Sequence, residues 1–199
     1  MPNFKPLFKK NLILMTILVF FILVVIFFIN LLYNKKKPNL TLGGSFILTD
    51  QNGKTFDSKK VNKKKLLYFG YTYCPDICPF DLLKISKIFE NNPKLKNEIK
   101  PLFITVDPER DTVKELEIFM ENFDQSITGL TGTKNEIKDI LRKFRIYVKI
   151  NKRSPEDNDY LVDHSSLIFL LDKDDSYIKF FRPKQLKESV ILNLLKEVI

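Results

Sequence analysis

The sequence predicts an α/β fold, one sheet with helices on both sides, preceded by a single transmembrane helix. Three observations carry this expectation. An uncharged apolar run, Leu12 to Tyr33, stands near the N-terminus. Beyond Gly43, apolar runs of strand length alternate with stretches whose apolar residues recur at helical spacing. The last two apolar runs, Leu167 to Leu171 and Tyr177 to Phe181, flank the turn residues Asp172-Lys173-Asp174-Asp175, as in a hairpin.

Residues 1–11 carry Lys5, Lys9 and Lys10 and no acid. The apolar run that follows, 12–33, supplies the roughly 20 residues that cross a hydrocarbon core of ~30 Å at ~1.5 Å per residue. A cleaved signal peptide would have an apolar region of about 7–15 residues and a small-residue cleavage site. This run is longer and ends in Tyr33-Asn34-Lys35-Lys36-Lys37-Pro38, so an uncleaved anchor is expected. Lysines flank both sides of it equally, and the positive-inside rule barely sets its orientation. Residues 34–42 read as a tether and 43–199 as one domain, long enough for a proper core.

Within that domain, Gly43 to Thr49 is expected as a first strand. Asp50-Gln51-Asn52-Gly53 supplies a hairpin turn and Lys54-Thr55-Phe56 the return. Leu66 to Gly70 reads as a short buried strand, Pro79 to Phe89 as a helix, and Pro101 to Val106 as the next strand. Thr112-x-x-Glu115 and Thr133-x-x-Glu136 have the form of capping boxes, each opening an amphipathic helix. Ile146 to Ile150 reads as a further strand, and Leu186 to Val198 as a closing helix.

The net charge of +9 is concentrated at the N-terminus. Six lysines and no acid lie before residue 39; setting them aside leaves 27 basic against 24 acidic residues, a net of +3. So balanced a domain has no electrostatic footprint for nucleic acid. Its one dense cluster, Lys59-Lys60 with Lys63-Lys64-Lys65, is expected to solvate a loop before a strand.

The chemistry concentrates in Tyr68-Phe69-Gly70-Tyr71-Thr72-Tyr73-Cys74-Pro75-Asp76-Ile77-Cys78-Pro79, which holds both cysteines of the chain. Pro79 lacks an N–H and suits a helix start, so the helix should begin at 77–79 with Cys74 on the loop before it. A strand, a cysteine loop and a helix in succession is where thioredoxin-like folds keep redox chemistry. A disulfide across so short a loop removes little chain entropy, which argues against a merely structural bond. The pair can instead form a redox disulfide, relay electrons or hold a soft metal as thiolates.

His164, the sole histidine, stands in Val162-Asp163-His164-Ser165, in the loop entering the Leu167 strand. In a thioredoxin-like sheet that loop lies beside the cysteine loop. Two thiolates and one imidazole suit copper: the sulfurs favour Cu(I), and the nitrogen helps the site tolerate Cu(II). A structural zinc site wants four protein ligands, and no third cysteine or second histidine exists to complete one.

Three segments together resemble the Sco/SenC family: Phe69-Gly70-Tyr71-Thr72-Tyr73-Cys74-Pro75-Asp76-Ile77-Cys78-Pro79, Val106-Asp107-Pro108-Glu109-Arg110-Asp111-Thr112 and Val162-Asp163-His164-Ser165. Phe46 to Gly53 is also similar to the family's first hairpin. The resemblance implies a membrane-anchored, thioredoxin-like copper chaperone for cytochrome c oxidase assembly. It makes Cys74, Cys78 and His164 the ligands of one copper ion, Cu(I) or Cu(II). It implies a single-pass inner-membrane protein with its domain on the periplasmic or intermembrane-space side. The implied partners are the oxidase subunit carrying the binuclear copper site and a copper donor or thiol reductant. Asp107 and Asp111 match family positions read here as cap and turn. Thiol–disulfide oxidoreductase activity of Cys74 and Cys78 is the main alternative to a non-enzymatic chaperone. A thioredoxin is disfavoured by the three-residue spacer and by the lack of proline between Pro155 and Pro183. A peroxidase is disfavoured because the cysteine loop supplies Thr72 but no arginine.

Overall fold

The computed structural model describes residues 5–33, 42–154 and 157–185, with positions 187, 189, 190 and 193. Nearly all of the expected tether and most of the closing helix lie outside the described residues. Residues 1–40 and 41–199 form two separate compact units. The first contains α1, Lys5–Tyr33, a helix of 29 residues. Its side chains are described from Leu14 to Phe28. Among the described residues, no helix is long and apolar enough to cross a membrane.

The second unit is built on β3, Lys64–Gly70, buried at every position. Parallel β4, Ile99–Thr105, pairs on one side and antiparallel β8, Ile168–Leu171, on the other. Successive residues of a strand face opposite sides of the sheet. Tyr68 reaches Asp81 of α2, Ile77–Asn91, whereas Phe69 packs 5.5 Å from the ring of Phe144, at the end of α5, Lys134–Lys143. Helices therefore cover both faces, which is why β3 reads as an unbroken apolar run. A short helix α3, Leu95–Glu98, leads into β4, and on the Tyr68 side Phe103 of β4 packs 5.4 Å from Phe119 of α4, Val113–Met120.

With β1, Ile47–Asp50, β2, Thr55–Asp57, β5, Thr128–Thr131, and β9, Tyr177–Phe181, the seven-stranded sheet has the order β2-β1-β5-β4-β3-β8-β9. Its outer members are the β1–β2 hairpin and β9. The β1–β2 turn forms as expected: Asp50 accepts from the amides of Asn52 and Lys54, and Gly53 takes φ 74°. The first strand is shorter than expected because Gly43 and Gly44 adopt φ of 92° and 114°, outside strand conformation. β5, Thr128–Thr131, joins β4 to the β1 edge and was not foreseen. Its sequence, Thr-Gly-Leu-Thr, is too short to show a period. Both expected N-caps form, but only Thr133 makes the full reciprocal box with Glu136; Thr112 accepts from Glu115 without the return bond.

Two expectations are overturned. His164 is not in a loop. It ends β7, Leu161–His164, which pairs with β6, Val148–Asn151, as a separate two-stranded sheet. The second concerns the lysine cluster. Lys64 and Lys65 lie inside β3 and are buried, and the Lys65 ammonium stands 2.7 Å from the Asp175 carboxylate. Lys65 also donates to the Lys173 carbonyl, and Ser58 donates to Asp175 at 2.6 Å. Asp175 holds this position in the β8–β9 turn with φ 67°, a conformation aspartate tolerates better than most residues.

An ion pair so enclosed is costly to break from one side, because the remaining charge is left buried. Lys65→Met is expected to lower unfolding free energy by about 3–5 kcal/mol. Combining it with Asp175→Asn should recover part of that loss. Urea unfolding of the wild type and both variants checks both statements.

Candidate functional site

Gly70 ends β3 and lets the site form. A Cβ there would stand 2.8 Å from a ring carbon of Phe103 and 3.2 Å from the Cys78 sulfur. Only glycine lets Cys78 pack so tightly against the strand end. The chain then turns through residues 71–76, and α2 begins at Ile77. Cys74 accordingly sits on the loop, as expected, and Cys78 in the first helical turn. Pro79 falls where a helix amide has no partner within the helix.

The loop is anchored by Asp111, fully buried behind it. Its carboxylate accepts from the Thr72 amide at 3.0 Å, the Thr72 hydroxyl at 2.7 Å and the Thr105 hydroxyl at 2.5 Å. Burial pushes its pKa up to about 6 against the opposing effect of these donors. Asp107 is also buried, held by Arg110 at 2.7 Å and by the Tyr160 hydroxyl at 2.8 Å. The two aspartates are therefore tertiary anchors, a larger role than the cap and turn expected of them.

The three candidate residues arrive from two places. Cys74 and Cys78 come from the loop and α2, both as free thiols. His164 comes from β7, its Nε2 3.3 Å from the Cys78 sulfur. The other ring nitrogen lies 3.3 Å from the Ser165 carbonyl. A carbonyl only accepts, so Nδ1 carries the proton and Nε2 presents its lone pair to the sulfur. Burial lowers the His164 pKa, which keeps the ring neutral at pH 7. Among the described residues, no group of three or more His, Cys, Asp or Glu side chains forms a ready-made metal cluster.

The cysteines are electrostatically unequal. A hydrogen bond from Cys78 brings the Cys74 pKa down to about 5, opposed by burial and helped by the amides of Asp76, Cys78 and Ile77. Those amides belong to the start of α2, where free N–H groups favour an anion. The same hydrogen bond and burial hold the fully buried Cys78 protonated well above the ordinary thiol range. Tyr68 and the Tyr71 amide bond to the Cys78 sulfur and favour its anion. The pair is thus one accessible thiolate backed by one enclosed thiol.

Aromatic residues that sequence reasoning passed over complete the setting. Tyr71 packs edge-on to His164, with ring centroids 6.0 Å apart, and its hydroxyl accepts from the Val162 amide. Arg110 comes from the loop after β4 to lie 4.9 Å from the ring centre of Tyr73, the residue before Cys74. The arginine missing from the cysteine segment is thus brought near it by the fold.

A model of the SCO1/SenC family matches residues 34–199. The chain belongs to the SCO1/SenC family. A SCO2-like protein of Rickettsia prowazekii is 43% identical over 151 residues, 75% of this chain and 73% of its own length. The structure of Bradyrhizobium japonicum ScoI with copper bound superposes with a TM-score of 0.71 at 38% identity. It covers 78% of this chain and 98% of that one. Yeast Sco1 gives a TM-score of 0.71 at 35% identity over 79% of this chain and 99% of that one. The domain accordingly has the α/β, thioredoxin-like fold of the SCO1/SenC family.

The inequality of the thiols is directly measurable. In reduced, metal-free protein, iodoacetamide should modify Cys74 first, with a pH–rate midpoint near 5. Cys78→Ala should move that midpoint upward, because the largest cause of the depression is removed. Mass spectrometry of the alkylated peptide across pH 4–9 checks both.

Proposed function

We propose that this chain is a membrane-anchored copper chaperone that delivers copper to the binuclear copper site of cytochrome c oxidase during its assembly. One observation carries the reading: Nε2 of His164 stands 3.3 Å from the sulfur of Cys78, whose helix starts directly after the loop that holds Cys74. Two sulfurs and one imidazole nitrogen are a donor set that suits copper in either oxidation state. Cys74, half-exposed on its loop, can close on the Cys78–His164 pair without disturbing the core. The donors around Cys78 favour its thiolate once its proton is displaced. Membership of the SCO1/SenC family and likeness to a copper-bound ScoI support the same reading.

Delivery follows from ligand count. Three protein ligands leave one side of the ion open, so a partner's thiolate or imidazole can bind before the donor ligands leave. No free copper ion is needed. The acceptor is the copper-carrying subunit of the oxidase, and a separate copper donor or thiol reductant charges the site.

The inequality of the thiols favours a second reading, disulfide reduction in that subunit. The Cys74 thiolate would attack one sulfur of the partner's disulfide, expelling the other as thiolate and leaving a mixed disulfide. Cys78, after losing its proton, would attack the Cys74 sulfur and release the second partner thiolate. Two electrons pass to the partner, and Cys74–Cys78 becomes the disulfide. That bond removes two of the three copper ligands, so redox state and metal loading are linked.

The anchor is residues 12–33, within the 29-residue helix α1. The support for it is the uncharged apolar run of the sequence, since roughly 20 residues at ~1.5 Å per residue match a hydrocarbon core of ~30 Å. We place the domain on the periplasmic or intermembrane-space side of an inner membrane, where a cysteine pair can cycle through a disulfide. A reporter fused after Ile199 should be active only outside the cytoplasm; activity confined to the cytoplasm overturns this orientation.

Copper titration of His164→Ala tests the ligand set. The variant should keep its fold and lose Cu(II) binding most, since two sulfurs and water suit the harder ion poorly. Cu(I) should be retained in part, held by two thiolates. Cys74→Ala and Cys78→Ala should lose both ions. Wild-type Cu(II) affinity in His164→Ala, with an unchanged sulfur-to-copper charge-transfer band, would remove the histidine from the site.

A further inference from the structure

The β6–β7 hairpin that carries His164 forms no part of the seven-stranded sheet. Backbone pairing therefore does not hold it against the cysteine loop; the short link from His164 to β8 restrains it, and side-chain contacts add to that restraint. Besides the contacts of Tyr71 with Val162 and His164, several of these meet at one residue. The Arg110 guanidinium carbon lies 3.6 Å from the ring centre of Tyr160, just before β7, and 4.9 Å from that of Tyr73, beside Cys74. It lies 5.6 Å from the ring centre of Tyr71, whose edge meets His164. Its Nε donates to Asp107 at 2.7 Å, and Asp107 accepts the Tyr160 hydroxyl. Nη1 donates to the Asn158 carbonyl at 3.2 Å. The remaining nitrogen, Nη2, is buried with no hydrogen-bond partner among the described residues. That nitrogen belongs to a cation enclosed largely by aromatic faces.

We infer that Arg110 is a positioning residue: it clamps the His164 hairpin to the cysteine loop and so sets the histidine at binding distance from the two sulfurs. Among the described residues, its side chain meets Tyr71, Tyr73, Tyr160, Asp107 and Asn158 and acts on the cysteines and His164 through them. A planar guanidinium can stack on tyrosine rings while its edge donates to a carboxylate, and an ammonium cannot do both. Asp107 gives the clamp its second arm by binding Arg110 and Tyr160 together. Arg110 is distinct from a thiol-activating arginine, since the Cys74 anion is supported by Cys78 and by backbone amides.

The inference deepens the copper reading, but its first test needs no metal. In reduced apo protein, Arg110→Met should speed amide hydrogen exchange across Tyr160–His164 by about tenfold or more while β3 and β4 keep wild-type protection. In the copper arm it should weaken Cu(II) by about 10- to 100-fold, as loss of an outer-shell partner does, and alter the charge-transfer band. Cu(I), held by the cysteine pair, should change much less. Arg110→Lys, which keeps the charge and stem, serves if Arg110→Met folds poorly, and it should fail to restore either property. Wild-type exchange in the hairpin together with wild-type Cu(II) binding in Arg110→Lys overturns the clamp. Failure of the wild-type protein itself to bind copper overturns the copper reading instead, and the exchange measurement then decides the clamp by itself.

Discussion

The buried carboxylate of Asp111 ties the cysteine loop to the sheet. Its carboxylate takes three hydrogen bonds, from the amide and hydroxyl of Thr72 and from the hydroxyl of Thr105, while its own carbonyl accepts from Thr131 of β5. The end of β4, the cysteine loop and β5 are therefore held to one buried point. A carboxylate removed from water needs several donors, and only a fixed loop can keep presenting them. Thr72 lies two residues before Cys74, so the constraint that satisfies this buried group also holds the first cysteine against the sheet.

The inequality of the two thiols follows from that placement. The loop ends at the first turn of α2, whose free amides face the Cys74 sulfur, while the missing side chain at Gly70 lets Cys78 sink beneath the strand end. One sulfur is stabilised as an anion at the edge of the domain, and the other is kept as a thiol beneath it. The same arrangement suits nucleophilic attack on a disulfide and stepwise capture of a soft ion. The neutral imidazole of His164 favours the second use, because its free lone pair is aimed at the enclosed sulfur.

Charge was a poor guide to position in this chain. Lys63, Lys64 and Lys65 form one run, yet Lys65 is buried against Asp175 whereas Lys63 reaches the Lys96 carbonyl. Sequence cannot separate these fates, since the partner of Lys65 lies 110 residues away in a turn whose backbone must first adopt a positive φ. Arg110 is a similar case. Its neighbours in sequence reveal only a polar turn, while its contacts in space include three tyrosines drawn from two segments.

The sequence by itself determined the α/β class, the buried strand that ends at Gly70, the hairpin turn at Asp50–Gly53, the start of α2 and the cysteine spacing. Each of these is a local matter: apolar runs, an Asn-Gly turn, a proline that tolerates only a helix start, two thiols that cannot be far apart. The three site segments were legible too, and with them the family. Tertiary structure decided what those segments do to one another. It put His164 at the end of a strand in a hairpin outside the main sheet, made Asp111 and Arg110 the ties between loops, and divided the two thiols into anion and acid. Those outcomes depend on burial and on contacts between residues distant in the chain, which no local pattern encodes. The short β5 was hidden for a simpler reason: four residues with a glycine have no period, and only pairing with β4 and β1 makes them a strand.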